Sequence, residues 1–305
     1  MPAAKSMNNI ASKGRYTAIL ALKIFVSVSL LAYLFTKLDF SSLSKLDIDI
    51  AYYTILSAFV MLIALWLMTL RWRIVLKLIE TKKYLLKSLY GYYLIGSFFN
   101  IFIPGAIGGD AMRLYYVSKY YNISKTKSLL AVFIERVAGL LALGIILMFS
   151  LLFNNTVRER LGYNFWLITL TLATIALALI AAKYFIQKKM EIRYKEILVI
   201  LLLSGLGQFG DIVIAYIYSL YFGLEISLLS LMTIMPLVYV ATVIPISLGG
   251  VGVREGVMTA GMALYGVDVS EAVMVSFLLY ITKVLVGFAG WILYLKIGKM
   301  NDQKA

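Results

Sequence analysis

The chain has 305 residues, of which 62% are hydrophobic and 14% charged, with a net charge of +14. A soluble globular domain is about half apolar and about a quarter charged, so this composition excludes one and indicates a membrane protein. The sequence has neither Cys nor His, which excludes disulfides and thiolate metal sites and removes the commonest general base.

Eight long apolar runs follow one another along the chain. A helix needs about 20 apolar residues to cross a bilayer core of about 30 Å. The runs cover residues 16–35, 52–70, 85–103, 128–153, 163–182, 197–222, 227–244 and 272–295. The first run has no cleavage signal, so we expect it to be retained as a helix. The runs predict an all-α polytopic membrane protein.

The third and seventh runs end in clusters of proline and glycine: Pro104, Gly108 and Gly109, and Pro245, Gly249 and Gly250. A short, partly apolar stretch follows each cluster. Non-helical backbone at membrane depth is tolerated only inside protein or beside a water-filled cavity. The pattern therefore predicts two re-entrant broken-helix hairpins, at 85–121 and 227–267, together with six full transmembrane helices.

The distribution of Lys and Arg favours this topology. Eight full crossings would place 14 cations inside and 10 outside, whereas two re-entrant hairpins place 20 inside, Arg71 among them, and four outside. Five more lie at membrane depth. A strong inside bias orients membrane proteins, so we expect a plasma-membrane protein with both termini in the cytoplasm.

The two Gly-rich breaks match each other. Pro, both Gly and an Arg align without a gap, which places Arg113 and Arg254 at equivalent positions. Chance is the alternative, since Gly and Pro are common wherever membrane helices break. The predicted topology divides the chain into near-equal halves of opposite orientation, 1–153 and 154–305. Inverted repeats with broken helices are the architecture of many transporters, which bind substrate where the repeats meet.

The same residues resemble a known family. The segment from Asn100 to Gly105, with Gly108-Gly109-Asp110, Arg113 and Glu135-Arg136, is similar to the lysylphosphatidylglycerol synthase transmembrane region, a flippase-like domain. The segment 245–256 resembles the second signature of that family. The resemblance covers residues 16–295 and implies movement of lipids across the membrane: aminoacylated phosphatidylglycerol in some members, polyprenyl-linked or other polar lipids in others. Some members add a soluble aminoacyl-transferring domain. Because this sequence stops at Ala305, we expect translocation without lysyl transfer.

Ionisable side chains at membrane depth are the candidates for a site, since each costs about 2.5–3.5 kcal/mol to insert and usually faces a cavity or a partner. They are Lys23, Asp110, Arg113, Glu135, Arg136, Asp211, Arg254, Glu255 and Lys283. The guanidinium forks of Arg113 and Arg254 suit a lipid phosphate. Backbone amides at the two breaks would add to an anion site; the glycines concerned are Gly108, Gly109, Gly249 and Gly250. In the alternative interpretation each Arg merely pairs with a nearby carboxylate.

The remaining charges suggest narrower roles. We expect Glu135 to lie against Arg113 and Arg136 to point towards the substrate path, although a purely structural ion-pair network is the alternative. Asp110 suits the N-terminal cap of the half-helix that follows it. Glu255 is a candidate for binding an amine or a proton.

One further pair lies deep in the last two spans of the chain. Asp211 lies within the sixth apolar run, where a carboxylate needs a charge partner. Lys283 in the last run is the natural partner. Such a pair is a candidate for coupling to a proton or Na⁺.

The primary hypothesis is a lipid flippase-like transporter that moves a polar or anionic lipid between leaflets. One alternative is a membrane transferase acting on a lipid phosphate or polyprenyl donor, with Asp110, Glu135 and Glu255 as acid–base groups or metal ligands. The other is an ion-coupled transporter of small solutes. We expect no enzyme activity, cofactor or metal. The expected partners are membrane lipids, a second copy of the chain or a separate lipid-modifying enzyme, and no nucleic acid.

Overall fold

The computed structural model describes residues 47–102, 107–155, 159, 193–243 and 252–302. All regular structure in these ranges is helical. In chain order the helices are α1 Asp49–Ile79, α2 Leu86–Phe102, α3 Ile107–Tyr121, α4 Lys125–Phe153, α5 Tyr194–Tyr221, α6 Leu228–Val243, α7 Val253–Ala263 and α8 Val269–Asp302. Four of them, α1, α4, α5 and α8, are long and apolar enough to cross a membrane. The prediction of an all-α membrane protein is confirmed.

Helix boundaries differ from the predicted apolar runs at polar ends. The run 52–70 lies within α1, which continues to Ile79 because Arg, Lys and Leu sustain a helix after the apolar stretch ends. The stretch predicted to end at Val267 stops at Ala263, close to Gly266, whose φ of 81° favours glycine. The predicted spans 16–35 and 163–182 lie outside the described residues, as do Pro104 and Pro245.

Helices α1 and α5 pack against each other in antiparallel directions. At one end the amide of Asp47 donates to the hydroxyl of Tyr221 at 3.1 Å. Near the middle Gly210 lies against Ala64, where any side chain on Gly210 would overlap the Ala64 methyl group. Early in α5, the Ser204 hydroxyl oxygen accepts from Arg71 Nη1 at 3.1 Å. Successive contacts therefore involve later residues of α1 and earlier residues of α5, as expected for antiparallel helices.

Helices α2 and α3 form a hairpin, the first hairpin, whose open end lies where α1 ends. The amide of Leu85 donates to the Tyr121 hydroxyl at 3.1 Å, which joins the start of α2 to the end of α3. Within the hairpin the two backbones approach closely at Gly96 and Gly109. A methyl group on Gly96 would lie 3.0 Å from the Gly109 carbonyl oxygen, so only glycine allows this approach without displacement.

Helices α6 and α7 form a second hairpin, which opens at the other end of the molecule. Ser150, near the end of α4, donates to the carbonyl of Leu229 at 2.6 Å, and Asn154 donates to the Tyr265 hydroxyl at 3.0 Å. The first hairpin instead meets the beginning of α4, where the hydroxyls of Ser118 and Ser128 lie 3.1 Å apart. The two hairpins therefore open at opposite ends of α4.

The two ends of the helical bundle differ in charge. The end that we call the basic end contains Lys77, Lys82, Lys83, Lys125, Lys127, Arg193 and Lys195, and the opposite, acidic end contains Asp47, Asp49, Glu225 and Asp268. At the basic end, hydrogen bonds from Lys82 and Lys127 hold the pKa of the Glu80 carboxyl below its ordinary value. These contacts tie the α1–α2 loop to the start of α4.

The main helix–helix contacts in the described chain show an internal correspondence between two sets of four helices. If α1, α2, α3 and α4 are exchanged with α5, α6, α7 and α8 respectively, every packed pair becomes another packed pair. For example, α2 packs on α8 as α6 packs on α4, and α2 packs on α3 as α6 packs on α7. The α1–α5 pair maps onto itself. A separate hydrophobic core surrounds each hairpin, around Trp72 and Tyr93 in one case and around Tyr218 and Met258 in the other.

Candidate functional site

Glu135 lies at the centre of a buried set of charges formed by α1, α3 and α4. Its side chain is 2% exposed. One carboxylate oxygen accepts from Arg71 Nη2 at 3.0 Å and from Arg71 Nε at 3.1 Å. The other accepts from Arg113 Nη1 at 2.8 Å. The carboxylate thus bridges two guanidinium groups from different helices, and it does lie against Arg113, as its sequence position suggested.

Arg113 is enclosed on every side that the structure describes. Its second terminal nitrogen donates to the carboxylate of Asp110, one helical turn earlier in α3. Its guanidinium carbon lies 4.2 Å from the centre of the Tyr93 ring and 5.1 Å from that of Trp72. Such stacking on aromatic faces stabilises a guanidinium ion. With a residue exposure of 7%, Arg113 is buried, and its described contacts are the two carboxylates and the two aromatic rings.

Arg136 extends the set towards the surface. Its Nε donates to the second oxygen of Asp110 at 2.8 Å, and its side chain is 43% exposed. Asp110 therefore joins Arg113, deep in the bundle, to Arg136 at the edge. We call these five residues, Arg71, Asp110, Arg113, Glu135 and Arg136, the first cluster. Three cations and two carboxylates give it a formal charge of +1.

Arg71 corrects a prediction. The sequence placed it among the cations of the cytoplasmic side, because it follows the apolar run. In the structure it is 5% exposed and bonded to Glu135, Ser204 and Tyr93. Position along α1 could not reveal this, because the partners lie 64 and 133 residues away. The only local sign that Arg71 is buried is its position directly after the apolar stretch of α1 and before Trp72.

A second charged group lies between α5, α6 and α8. Lys283 Nζ donates to Asp211 Oδ2 at 2.7 Å, which is the pairing that the sequence suggested. The Tyr239 hydroxyl donates to the same oxygen, and the Lys283 nitrogen lies 5.6 Å from the Tyr239 ring centre. The side chain of Asp211 is 10% exposed and that of Lys283 is 26% exposed. We call Asp211, Tyr239 and Lys283 the second triad.

The second triad has a counterpart formed by two members of the first cluster together with Tyr93. Arg71 on α1, Tyr93 on α2 and Glu135 on α4 match Asp211 on α5, Tyr239 on α6 and Lys283 on α8 under the helix exchange described above. In both cases a tyrosine hydroxyl donates to the carboxylate of an interhelical ion pair. The charges are reversed: the cation is on α1 in the first set and on α8 in the second.

Arg254 lies at the beginning of α7. Its Nη2 donates to the adjacent Glu255, and its guanidinium carbon lies 4.7 Å from the centre of the Tyr280 ring. Its side chain is 13% exposed, and Nε has no hydrogen-bond partner among the described residues. Glu255 also accepts from the amide of Gly252 at 2.7 Å, so it caps α7. Arg254 is thus less completely enclosed by described carboxylates than Arg113.

Two sequence expectations change with these contacts. Asp110 lies in the first turn of α3, where a carboxylate is favoured, but its described hydrogen bonds go to Arg113 and Arg136. Glu255, the candidate for binding an amine or a proton, bonds to Arg254 much as Asp110 bonds to Arg113. Each hairpin therefore has a first-turn carboxylate bonded to its arginine.

The predicted glycine amides contribute unequally to an anion site. The amide of Gly109 donates to Asn100 Oδ1 at 2.8 Å, so it is already bonded within the hairpin, and Gly108 is buried beside it. Gly249 and Gly250 lie outside the described residues, as does Lys23. No group of His, Cys, Asp or Glu that could hold a metal ion occurs within the described ranges.

A comparison with known protein families gives a match over nearly the whole chain. The family model described as Lysylphosphatidylglycerol synthase TM region matches residues 20–290. Neither the curated proteins nor the solved structures give a match.

Proposed function

Because the chain belongs to the lysylphosphatidylglycerol synthase transmembrane-region family, we propose that this membrane protein is a flippase-like transporter that moves a polar or anionic lipid between leaflets. The family match supports a role connected with membrane lipids. The specific role in transport rests on one observation: two arginine-bearing hairpins open at opposite ends of one helical bundle. A transporter with alternating access opens its substrate site first to one side of the membrane and then to the other, and two hairpins that face opposite sides suit this mechanism.

The helix contacts support an inverted repeat. A two-fold axis that exchanges α1 with α5 must relate two antiparallel helices, so it lies across the helices rather than along them. If α1 and α5 cross the membrane, that axis lies in the membrane plane, and the halves have opposite orientations. The distribution of charge supports the same orientation, because the basic end would face the cytoplasm.

The structure narrows the choice of residues that would meet a lipid phosphate. Arg113 is occupied by Glu135, Asp110 and two aromatic rings. Arg136, with an exposed side chain beside the first hairpin, and Arg254, with its Nε without a described partner beside the second, are better placed. Each would bind phosphate from one end of the bundle, and the acyl chains would remain in the surrounding lipid.

The proposal predicts protein-dependent lipid movement. The purified chain would be reconstituted in liposomes containing an acyl-labelled fluorescent phosphatidylglycerol, and dithionite would report the label left in the outer leaflet with time. A hydrogen bond to a charged group contributes about 1.5–3 kcal/mol, so Arg136→Ala and Arg254→Ala should each slow movement by about 10- to 100-fold. Lys125→Ala, which removes one exposed cation at the basic end, should leave the rate near that of the unaltered chain.

The same liposomes separate transport from catalysis. Mass spectrometry of the recovered lipid should show an unchanged headgroup. Headgroup turnover without movement would support the transferase alternative, and equal rates in protein-containing and empty liposomes would overturn the proposed function. Size-exclusion profiles of each variant in detergent establish that a slow rate does not reflect loss of the fold.

A further inference from the structure

The two matched ion pairs differ in the cations that hold their carboxylates. In the first cluster Glu135 accepts hydrogen bonds from two arginines, Arg71 and Arg113, which stay protonated in proteins. In the second triad the one described cation bonded to Asp211 is Lys283, which can itself lose a proton. The helix exchange therefore matches a carboxylate held by two permanent cations with a carboxylate held by a single titratable one.

The second triad lies beside the arginine of the second hairpin. Arg254 stacks on Tyr280, and Tyr280 is three residues before Lys283 on α8. Residues three apart on a helix are neighbours on one face, with Cβ atoms about 5–6 Å apart. A phosphate bound by Arg254 at this face would therefore lie within about one helical turn of Lys283.

Charge balance distinguishes the two ends of the proposed path. The first cluster has a formal charge of +1, so binding of a monoanionic phosphate would bring its net charge to zero. The second hairpin has one neutral pair, Arg254 with Glu255, and the helices beside it, α5 and α8, supply another, Asp211 with Lys283. A monoanion added there would leave one uncompensated negative charge, which is costly in a desolvated site. A proton on Asp211 would restore neutrality.

We propose that the second triad is a proton-exchange site, and that one proton moves together with one lipid that bears a single phosphate anion. The proposal rests on the proposed function and specifies its energy source and substrate charge. When Asp211 takes a proton from water, its ion pair with Lys283 breaks, and Lys283 joins Arg254 in binding the phosphate. When the lipid leaves at the other end, Lys283 pairs with Asp211 again and the proton is released.

The surroundings of Asp211 leave Lys283 and Tyr239 as its described polar contacts. Helix α8 contributes Lys283 and α6 contributes Tyr239. Helix α1 places Ala64 against the adjacent Gly210 and bonds Arg71 to Ser204, about two turns earlier on α5, while α4 places Gly139 against Gln208, one turn earlier. Lys283 and Tyr239 are therefore the described groups that contact the Asp211 carboxylate directly, and Arg71 is a further cation that faces α5.

Movement of one proton with one monoanion carries no net charge. A pH gradient should therefore drive the lipid, whereas a membrane potential should not. In proteoliposomes with labelled phosphatidylglycerol and a pH indicator inside, an exterior one pH unit more acidic should enrich the label in the inner leaflet. The limiting enrichment is about tenfold, since one pH unit corresponds to a tenfold ratio for one proton. A potassium diffusion potential imposed with valinomycin at equal pH should give no enrichment.

Variants of the second triad provide an independent measurement. Asp211→Asn should abolish enrichment and lipid-dependent acidification of the interior. The double variant Asp211→Asn with Lys283→Gln leaves no buried charge unpaired, so it should fold even if Asp211→Asn alone does not, and it should show the same loss of response to pH. Arg136 and Arg254 remain intact in both variants.

Each outcome bears on a different claim. If the unaltered chain moves the lipid equally with and without a pH gradient, or if the double variant still responds to it, the proton-exchange site is wrong while the flippase stands. Enrichment driven by membrane potential would likewise overturn the movement of one proton with each lipid. If no lipid moves under any gradient, the proposed function fails, and this inference fails with it.

Discussion

At the residue scale, Glu135 is the acceptor on which the first cluster depends. It bonds to two buried guanidinium groups, those of Arg71 and Arg113, on different helices. Arginine does not lose its proton in proteins, so neither cation can be neutralised if the carboxylate is removed. The pair of arginines would then lie close together in a site from which water is largely excluded.

Glu135→Gln should therefore destabilise the folded chain strongly. Removing one partner of a buried ion pair costs about 3–5 kcal/mol, because the remaining charge is left uncompensated. The free energy of unfolding can be followed by circular dichroism as SDS is titrated into mixed micelles. Glu225→Gln makes the same chemical change at an exposed position of the acidic end, where an effect within about 0.5 kcal/mol is expected. Similar stability of both variants would contradict the central position of Glu135.

At the element scale, glycine sets how closely helices distant in the chain approach each other. Helix α2 of the first hairpin packs on α8, the last described helix. At Gly290, a methyl group would overlap the backbone carbonyl of Leu94. The obstacle is backbone rather than a flexible side chain, so it can be relieved only by moving one helix away from the other. The ordinary preference of helices for alanine is overridden at this position.

Gly290→Ala and Gly205→Ala should therefore have opposite effects. The first should destabilise the chain by about 1–3 kcal/mol through overpacking. At Gly205 the structure leaves open space within 4 Å, so alanine should be neutral or stabilise α5 by up to about 1 kcal/mol. The SDS titration used for Glu135 measures both. Equal destabilisation by the two substitutions would contradict the close contact of α2 with α8.

At the scale of the whole molecule, the two hairpins and the two charged ends give the bundle a direction. The loop that leads into α4 lies at the basic end, and the loop between α5 and α6 lies at the acidic end. Because cytoplasmic loops are enriched in Lys and Arg, we expect the first loop to face the cytoplasm and the second to face outside.

Single cysteines test this orientation, since the native chain has none. With a membrane-impermeant maleimide, Glu225→Cys should react in intact cells. Lys125→Cys should react only after the membrane is opened or in inverted vesicles. Both positions are exposed, so differences in labelling report the side of the membrane rather than burial. Labelling of both from the same side would overturn the opposed hairpins and the inverted repeat.

The sequence predicted the pairing of residues only where local rules limit the choice of partner. Asp211 and Lys283 were matched because a lone carboxylate in an apolar run needs a cation, and few are available at membrane depth. For Glu135, helix geometry excluded the adjacent Arg136 as the main partner, because the two side chains point about 100° apart, and Arg113 was the partner expected instead. Arg71 was missed because its partners come from distant segments, and charge at the end of an apolar run resembles a loop residue.

The amino-acid sequence by itself determined the membrane class and the approximate position of the described helices, because hydrophobic length is a local property. Tertiary structure alone decided that α1 and α5 run antiparallel, that the hairpins open at opposite ends, and that the two ion pairs correspond with their charges reversed. Those features depend on contacts between residues far apart in the chain, such as Arg71 with Ser204, which no local pattern encodes.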